Sequence, residues 1–78
     1  LPVYTTEDGI KRIKEFFGNL VDWKKIDDLI PKNFKKGIQN KKTGKAGIFA
    51  GSLELVKEGN IKIKQKTLFD DIYIKEIK

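Results

Sequence analysis

Apolar residues recur every three to four positions in two stretches near the start of the chain, a spacing that is typical of helices. The first predicted helix begins after a threonine N-cap, Thr5 or Thr6, and runs to about Gly18. The second begins after Asp22 and ends before Pro31, which cannot continue a helix. Each helix carries an apolar stripe, so each is expected to pack one face against a core.

A third predicted helix runs from about Thr43 to Glu58 and is rich in apolar residues. The lysine-rich segment before it, residues 32–44, is expected to be a loop. The apolar arc of this helix is wider than the roughly 100° stripe of an ordinary surface helix. So short a chain can hardly bury the whole arc, which predicts that a partner covers one flank. The alternative is that the rest of the domain covers the arc completely.

The pattern changes from helical to alternating after Gly59, which is a typical helix stop. Ile61 and Ile63 alternate with lysines, and this alternation predicts a strand whose isoleucines face the core. Residues 67–71 form the expected loop, and residues 72–77 form the returning strand. The two strands together make a hairpin.

Three helices followed by a two-stranded hairpin predict an α+β fold of the winged-helix type, with the hairpin as the wing. Val3 and Tyr4 are candidates for a short N-terminal strand. With 78 residues, the chain is expected to be a single domain, residues 1–78. Because it begins at Leu1 and contains no methionine, we expect it to be a domain cut from a longer protein.

Lysine dominates the charge of the chain, whose net charge is +6, and Arg12 is its only arginine. Lysine binds phosphate as a point charge and lacks the bidentate geometry with which arginine reads guanine. The excess of positive over negative side chains favours either solubility or weak, salt-sensitive contact with a nucleic-acid backbone. The candidates for that contact are Lys41, Lys42, Lys62, Lys64 and Lys66.

Trp23 lies on the apolar stripe of the second predicted helix, and we interpret it as a core anchor rather than a stacking contact.

The residue types on which catalysis and metal binding most often depend are missing, since the chain has no cysteine and no histidine. Its adjacent acidic pairs at 7–8, 27–28 and 70–71 point apart on a helix or strand. Ser52 is the only serine and has no histidine partner. No apolar run approaches the roughly 20 residues of a membrane span. We therefore expect no enzymatic activity, no cofactor and no metal site.

The segment LELVKEGNIKIKQKTLFDDIYI, residues 53–74, resembles the C-terminal domain of the bacterial segregation and condensation protein A family. That family shows a phenylalanine, an LEL tripeptide, a basic turn with glycine, a glutamine ending a strand, and a phenylalanine before the last strand. Here these are Phe49, Leu53-Glu54-Leu55, Lys57-Glu58-Gly59, Gln65 and Phe69. Residues 8–13, 22–23 and 29–31 are similar to the first two helices of the same domain. The chain departs from the family at Ala50 and Gly51, which are small.

Proteins of this family are the kleisin subunits of SMC condensin complexes, and their C-terminal winged-helix domain binds the ATPase head of an SMC protein. The resemblance implies a non-catalytic domain that closes the SMC–kleisin ring for chromosome condensation and segregation, in the cytoplasm at the nucleoid. The candidate head-contacting residues are Phe49, Ser52, Leu53, Val56, Tyr73 and Lys75. Phe49 and Leu53 lead this set, and the hairpin edge at Tyr73 and Lys75 offers a site for strand addition.

Two other functions stay open. A DNA-binding domain would place the third helix in the major groove, with the lysines of the hairpin on the backbone. That helix carries Glu54 and Glu58, which repel phosphate, and lacks the side chains that read bases. A purely structural module would instead dimerise through the exposed flank of the same helix.

Overall fold

The computed structural model describes residues 3–77 as helices packed on a small antiparallel sheet. Its helices and strands are α1 (Thr6–Lys14), β1 (Lys24–Lys25), α2 (Ile38–Lys57), β2 (Ile61–Lys64) and β3 (Tyr73–Glu76). Two short 3₁₀ helices, Ile26–Leu29 and Lys32–Phe34, connect β1 to α2. The strand order is β1-β3-β2, so β3 is the central strand of the described sheet.

The predicted threonine N-cap of α1 is Thr5, and it forms a capping box with Asp8. The hydroxyl of Thr5 accepts a hydrogen bond from the Asp8 amide, and the Asp8 carboxylate accepts one from the Thr5 amide, both at 3.0 Å. These bonds, the one from the Thr5 amide first, lower the pKa of Asp8. Regular helix ends at Lys14, shortly before the predicted stop at Gly18, whose φ of 93° lies in the left-handed region that glycine favours.

Three glycines let α1 and α2 approach until their backbones are in contact, and we call Gly9, Gly47 and Gly51 the glycine seam. A Cβ added to Gly51 would lie 2.6 Å from the amide nitrogen of Ile10. One added to Gly9 would overlap the carbonyl oxygen of Gly47. Glycine costs about 1 kcal/mol relative to alanine inside a helix. The close packing of the two helices offsets that cost, which explains why α2 carries Gly47 and Gly51.

The helix α2 is longer than predicted because it includes part of the expected loop. It begins at Ile38, directly after Gly37 with a φ of 83°. Gly44 does not interrupt the helix, and a Cβ there would meet the side chains of Ile30 and Phe34 at 3.1 Å. The glycine that suggested a loop is therefore a packing site under two buried side chains.

The end of α2 is the one that the sequence predicts. Gly59 has a φ of 80°, its amide donates to the Val56 carbonyl at 3.0 Å, and the Asn60 amide donates to the Leu55 carbonyl at 2.9 Å. This pair of bonds is the Schellman motif, which satisfies carbonyls left over at a helix end. No helix in the described part of the chain is long and apolar enough to cross a membrane.

The predicted hairpin is confirmed, and its isoleucines face the core as expected. Ile63 lies opposite Ile74 in the antiparallel register of β2 and β3, and Ile61 and Ile74 are fully buried. On its other side β3 pairs with β1, with Lys25 opposite Tyr73. The buried apolar side chains come from the helices, the sheet and the segments that connect them. They are Ile13, Leu20, Ile26, Leu29, Ile30, Phe34, Ile48, Leu55, Ile61 and Ile74.

The winged-helix prediction of three helices and a two-stranded wing is wrong. Residues 3–77 contain two α-helices and a three-stranded antiparallel sheet, so only the broader α+β class is confirmed. In place of the predicted second helix, Lys24–Lys25 form β1 and Ile26–Leu29 form a 3₁₀ helix. The Asp22 carboxylate accepts from the next amide, that of Trp23, at 2.8 Å, and it caps no helix.

The candidate strand at Val3 and Tyr4 is not formed, and β1 supplies the third strand of the sheet instead. Leu1 and Pro2, which belonged to the same predicted segment, lie outside the described residues. Tyr4 packs against Phe34 with ring centroids 5.0 Å apart, and burial raises the pKa of Tyr4. This segment therefore covers one end of the core as an extended lead-in to α1.

Candidate functional site

The helix α2 buries one side against α1 and the core and leaves another side open. Its buried residues are Gly44, Gly47, Ile48, Gly51, Ser52 and Leu55. Phe49 and Leu53, one turn apart on a different flank, are 38% and 43% exposed. The domain thus leaves part of the apolar arc uncovered, as the width of the arc predicts.

This flank forms one wall of a shallow groove, which we call the α2–β2 groove. Its lining residues are Phe49, Leu53, Ile63, Lys64, Gln65 and Ile72. The apolar floor comes from Ile63 and Ile72, both partly buried, and the polar rim from Lys64 and Gln65. Its volume of about 250 Å³ is below the roughly 300–1,000 Å³ of small-molecule pockets, so an apolar side chain of a protein partner suits it better.

Two other candidate residues of α2 lie differently. Ser52 is fully buried, and its hydroxyl donates to the carbonyl oxygen of Phe49 at 2.7 Å. This burial removes Ser52 from the surface that a partner can reach. Val56 is half-buried, packs against the core cluster and does not line the groove.

The two strand candidates, Tyr73 and Lys75, lie on β3, which is paired with β1 on one side and β2 on the other. A partner strand therefore cannot add at β3, and the predicted site of strand addition is wrong. Within the described sheet, β2 is an edge strand, and its residues Ile63 and Lys64 border the α2–β2 groove. The open edge and the open helix flank are thus next to each other.

The candidate backbone-contacting lysines form two separate groups. Lys41 and Lys42 are exposed in the first turns of α2 and not on a loop. Lys62 and Lys64 are exposed on β2, and Lys66 follows the strand. The two groups therefore lie on different elements, Lys41 and Lys42 on α2 and Lys62, Lys64 and Lys66 on or directly after β2.

Trp23 is not a core anchor, and that interpretation is wrong. Its ring lies under the ammonium groups of Lys64 and Lys75, whose Nζ atoms are 4.3 Å and 5.9 Å from the ring centroid. Trp23 therefore lies on the solvent side of the sheet, opposite the isoleucines. No local sequence signal predicts this position, because the contacts come from strands about 40 to 50 residues further along the chain.

The tip of the hairpin carries two exposed apolar side chains, Leu68 and Phe69, of which only Phe69 belongs to the residues that carry the family resemblance. Leu68 is 78% exposed and Phe69 is 93% exposed. Phe69 has a φ of 70°, in the left-handed region that bulky residues rarely adopt. The sequence does contain a signal for this exposed apolar tip, because two apolar residues lie inside the predicted turn and turns are normally built from small and polar residues.

Lys25 and Lys45 each pair with an aspartate. The Lys25 Nζ lies 3.4 Å from a carboxylate oxygen of Asp71, and this contact raises the pKa of Lys25. The Lys45 ammonium lies 3.3 Å from Asp27 Oδ1. Residues 3–77 contain no group of three or more side chains that could hold a metal ion. The absence of enzymatic activity stays a prediction.

Comparison of the chain with protein families, with curated proteins and with solved structures finds no match. The resemblance in residues 49–74 therefore stays a prediction from the sequence, and the uncovered groove beside α2 is the structural observation that bears on function.

Proposed function

We propose that this chain is a non-catalytic interaction domain that binds the ATPase head of an SMC protein through the α2–β2 groove. In that role it closes an SMC–kleisin ring at the bacterial nucleoid and serves chromosome condensation and segregation. The exposure of Phe49 and Leu53 beside the floor formed by Ile63 and Ile72 is the observation that carries the proposal. The identity of the partner comes from the resemblance in residues 49–74.

The geometry supports a contact made by two neighbouring features. A helix flank with apolar anchors one turn apart suits a complementary apolar surface, in the way that helices bind hydrophobic grooves. The open edge of β2 adds backbone donors and acceptors for a partner strand. The lysines on this strand, Lys62 and Lys64, discourage pairing with a second copy of the same edge, since lysine is a common device against edge-to-edge association.

The energy of such a contact is expected to concentrate in few residues. Interfaces usually have a small number of buried anchors whose truncation costs about 2 kcal/mol or more, which is about 30-fold in affinity. Phe49 and Leu53 are the described apolar residues of the groove wall with the most exposed surface, so they are the expected anchors.

The test is the affinity of this domain for an SMC ATPase-head fragment, measured by calorimetry for the wild type and for Leu53→Arg. We expect Leu53→Arg to weaken binding at least 30-fold, because a charge would enter an apolar contact. The matched control is Ile38→Arg, on the same helix, at a residue that is 77% exposed and about 22 Å along the helix from Leu53. The control should bind like the wild type.

Circular dichroism separates a lost contact from a lost fold. Since Leu53 is 43% exposed, both arginine variants should keep the wild-type spectrum and melt within a few degrees of it. Phe49→Ser provides a second anchor variant in case Leu53→Arg unfolds. Wild-type affinity for the head in folded Leu53→Arg and Phe49→Ser, or no binding by the wild type, would contradict the proposal.

A further inference from the structure

The solvent side of the sheet combines aromatic rings with lysines, and we call this surface the outer sheet face. It consists of Trp23, Lys62, Lys64, Tyr73 and Lys75, which alternation places opposite the buried isoleucines of β2 and β3. Trp23, Lys64, Lys66 and Tyr73 also line a concavity of about 380 Å³ with Asp70 and Asp71, which is large enough to hold a nucleobase.

The lysines on this face lie close enough to repel one another. Lys62 lies directly opposite Lys75 in the antiparallel register, and like charges at opposed positions destabilise a sheet. Within residues 3–77, no carboxylate forms an ion pair with Lys62, Lys64 or Lys75. An anion on this surface would relieve the repulsion, so the face is complementary to a polyanion.

The acidic residues at the edge of the face are already engaged. Asp71 pairs with Lys25 at 3.4 Å, and the carboxylate of Asp70 accepts a hydrogen bond from the Thr67 hydroxyl at 3.0 Å. Both aspartates lie in the loop at one end of the hairpin. A polyanion would therefore place its phosphates along Lys62 and Lys75, away from this loop, while a base enters the concavity beside Trp23.

We propose that the outer sheet face binds single-stranded nucleic acid. An unpaired base stacks on Trp23 after the Lys64 ammonium moves from the ring to a phosphate, and Lys62 and Lys75 contact the neighbouring phosphates. A duplex satisfies the lysines equally well but hides its bases, so it leaves the aromatic ring unused. An acidic peptide likewise supplies only the charge. The pairing of an indole with three lysines is what favours a single strand.

The proposal does not depend on SMC-head binding: Lys64 borders both surfaces, but Trp23, Lys62, Tyr73 and Lys75 do not line the α2–β2 groove. Trp23 is the only tryptophan of the chain, so its fluorescence reports on this surface alone. The experiment titrates the domain with oligo(dT) of about eight nucleotides, with a duplex of the same length, and with inorganic polyphosphate.

We expect oligo(dT) to quench Trp23 and to bind at least about tenfold more tightly than the duplex. Binding should weaken with salt, with a logarithmic slope of about −2 for three phosphate contacts on a single strand. By anisotropy of a labelled oligonucleotide, Trp23→Leu should lose about tenfold in affinity for oligo(dT) but not for polyphosphate, measured by competition. Lys64→Gln should weaken binding and reduce the slope by about 0.7.

The matched control is Lys14→Gln, which removes one exposed lysine on α1 and leaves the outer sheet face intact. It should bind like the wild type. Equal loss in Lys14→Gln and Lys64→Gln would show that net charge alone drives binding and would overturn the proposal. Equal affinity for duplex and single strand, or the absence of quenching, would also overturn it. Leu53→Arg should leave the titration unchanged, which distinguishes this surface from the α2–β2 groove.

Discussion

The glycine seam makes a sharp prediction, because at Gly51 helix propensity and packing act in opposite directions. Gly51→Ala replaces glycine with the best helix former, which at an open site stabilises a helix by about 1 kcal/mol. In this fold the new Cβ would lie 2.6 Å from the Ile10 amide nitrogen and 2.7 Å from the Gly9 carbonyl carbon. Both neighbours are backbone atoms of α1, so no side-chain rotation relieves the overlap.

The expected size of the effect follows from these two terms. Ordinary contacts of a Cβ lie at 3.4–4 Å, so α1 and α2 must separate by about 1 Å to accept the methyl group. Overpacking of this kind costs about 1–3 kcal/mol, and the separation loosens contacts along the whole of α1. Because both overlaps are with backbone atoms closer than 3.0 Å, we expect the upper part of this range, about 2–3 kcal/mol, and after the propensity gain of about 1 kcal/mol a net loss of about 1–2 kcal/mol. For a domain of this size that corresponds to a melting temperature lower by about 5–15 °C.

The measurement is thermal and urea unfolding followed by circular dichroism. The matched control is Ala46→Gly, an exposed position on the same helix, where the propensity term acts alone and stability should fall by about 1 kcal/mol. Gly51→Ala, which replaces glycine with alanine, would then destabilise the domain at least as much as Ala46→Gly, which replaces alanine with glycine. A Gly51→Ala variant at least as stable as the wild type would refute the close approach of α1 and α2.

Two further predictions concern the ends of elements. Thr5→Ala removes the hydroxyl half of the capping box and should cost about 1 kcal/mol of unfolding free energy. The backbone amide at position 5 still donates to the Asp8 carboxylate, so the Asp8 pKa should rise only part of the way toward its ordinary value in an NMR titration. Because the folded pKa of Asp8 is the lower one, its contribution is present above about pH 4 and is lost as the pH falls through the folded pKa, so the stability difference between wild type and variant should narrow at low pH. The difference should not vanish, because the bond from the Asp8 amide to the Thr5 hydroxyl does not titrate. An unchanged Asp8 pKa in the variant would contradict the cap. Phe69→Gly removes an exposed ring from the left-handed region and should raise stability by about 0.5–1 kcal/mol in urea unfolding. A loss of stability would mean that the ring makes contacts that its 93% exposure does not reveal.

The parts of the fold that sequence reasoning predicted correctly are set by local physical chemistry. Thr5 and Asp8 cap a helix through bonds three residues apart, and Gly59 ends one through bonds within five residues. The alternation at Ile61 and Ile63 likewise fixes which side of the hairpin faces the core. In each case the decisive partners are close in the chain, so the pattern alone was sufficient.

The failures occur where a distant partner overrides the local pattern. Asp22 and the apolar residues after it resemble a helix start, but the backbone around Lys25 pairs with β3, almost 50 residues later. Gly44 was interpreted as part of a loop because glycine weakens helices, whereas its role depends on Phe34 packing against it. The position of Trp23 was missed for the same reason, since its environment is made by strands that come much later in the chain.

The glycine seam also explains why the candidate groove is open. With only backbone atoms on that side of α2, α1 approaches closely and occupies the face that carries Gly47 and Gly51. The core then takes Ile48 and Leu55, which are fully buried. The remaining apolar flank, at Phe49, points past the edge strand β2, where the described chain has no further element to cover it. The surface offered to a partner is therefore a consequence of how tightly the two helices pack, rather than of an excess of apolar residues alone.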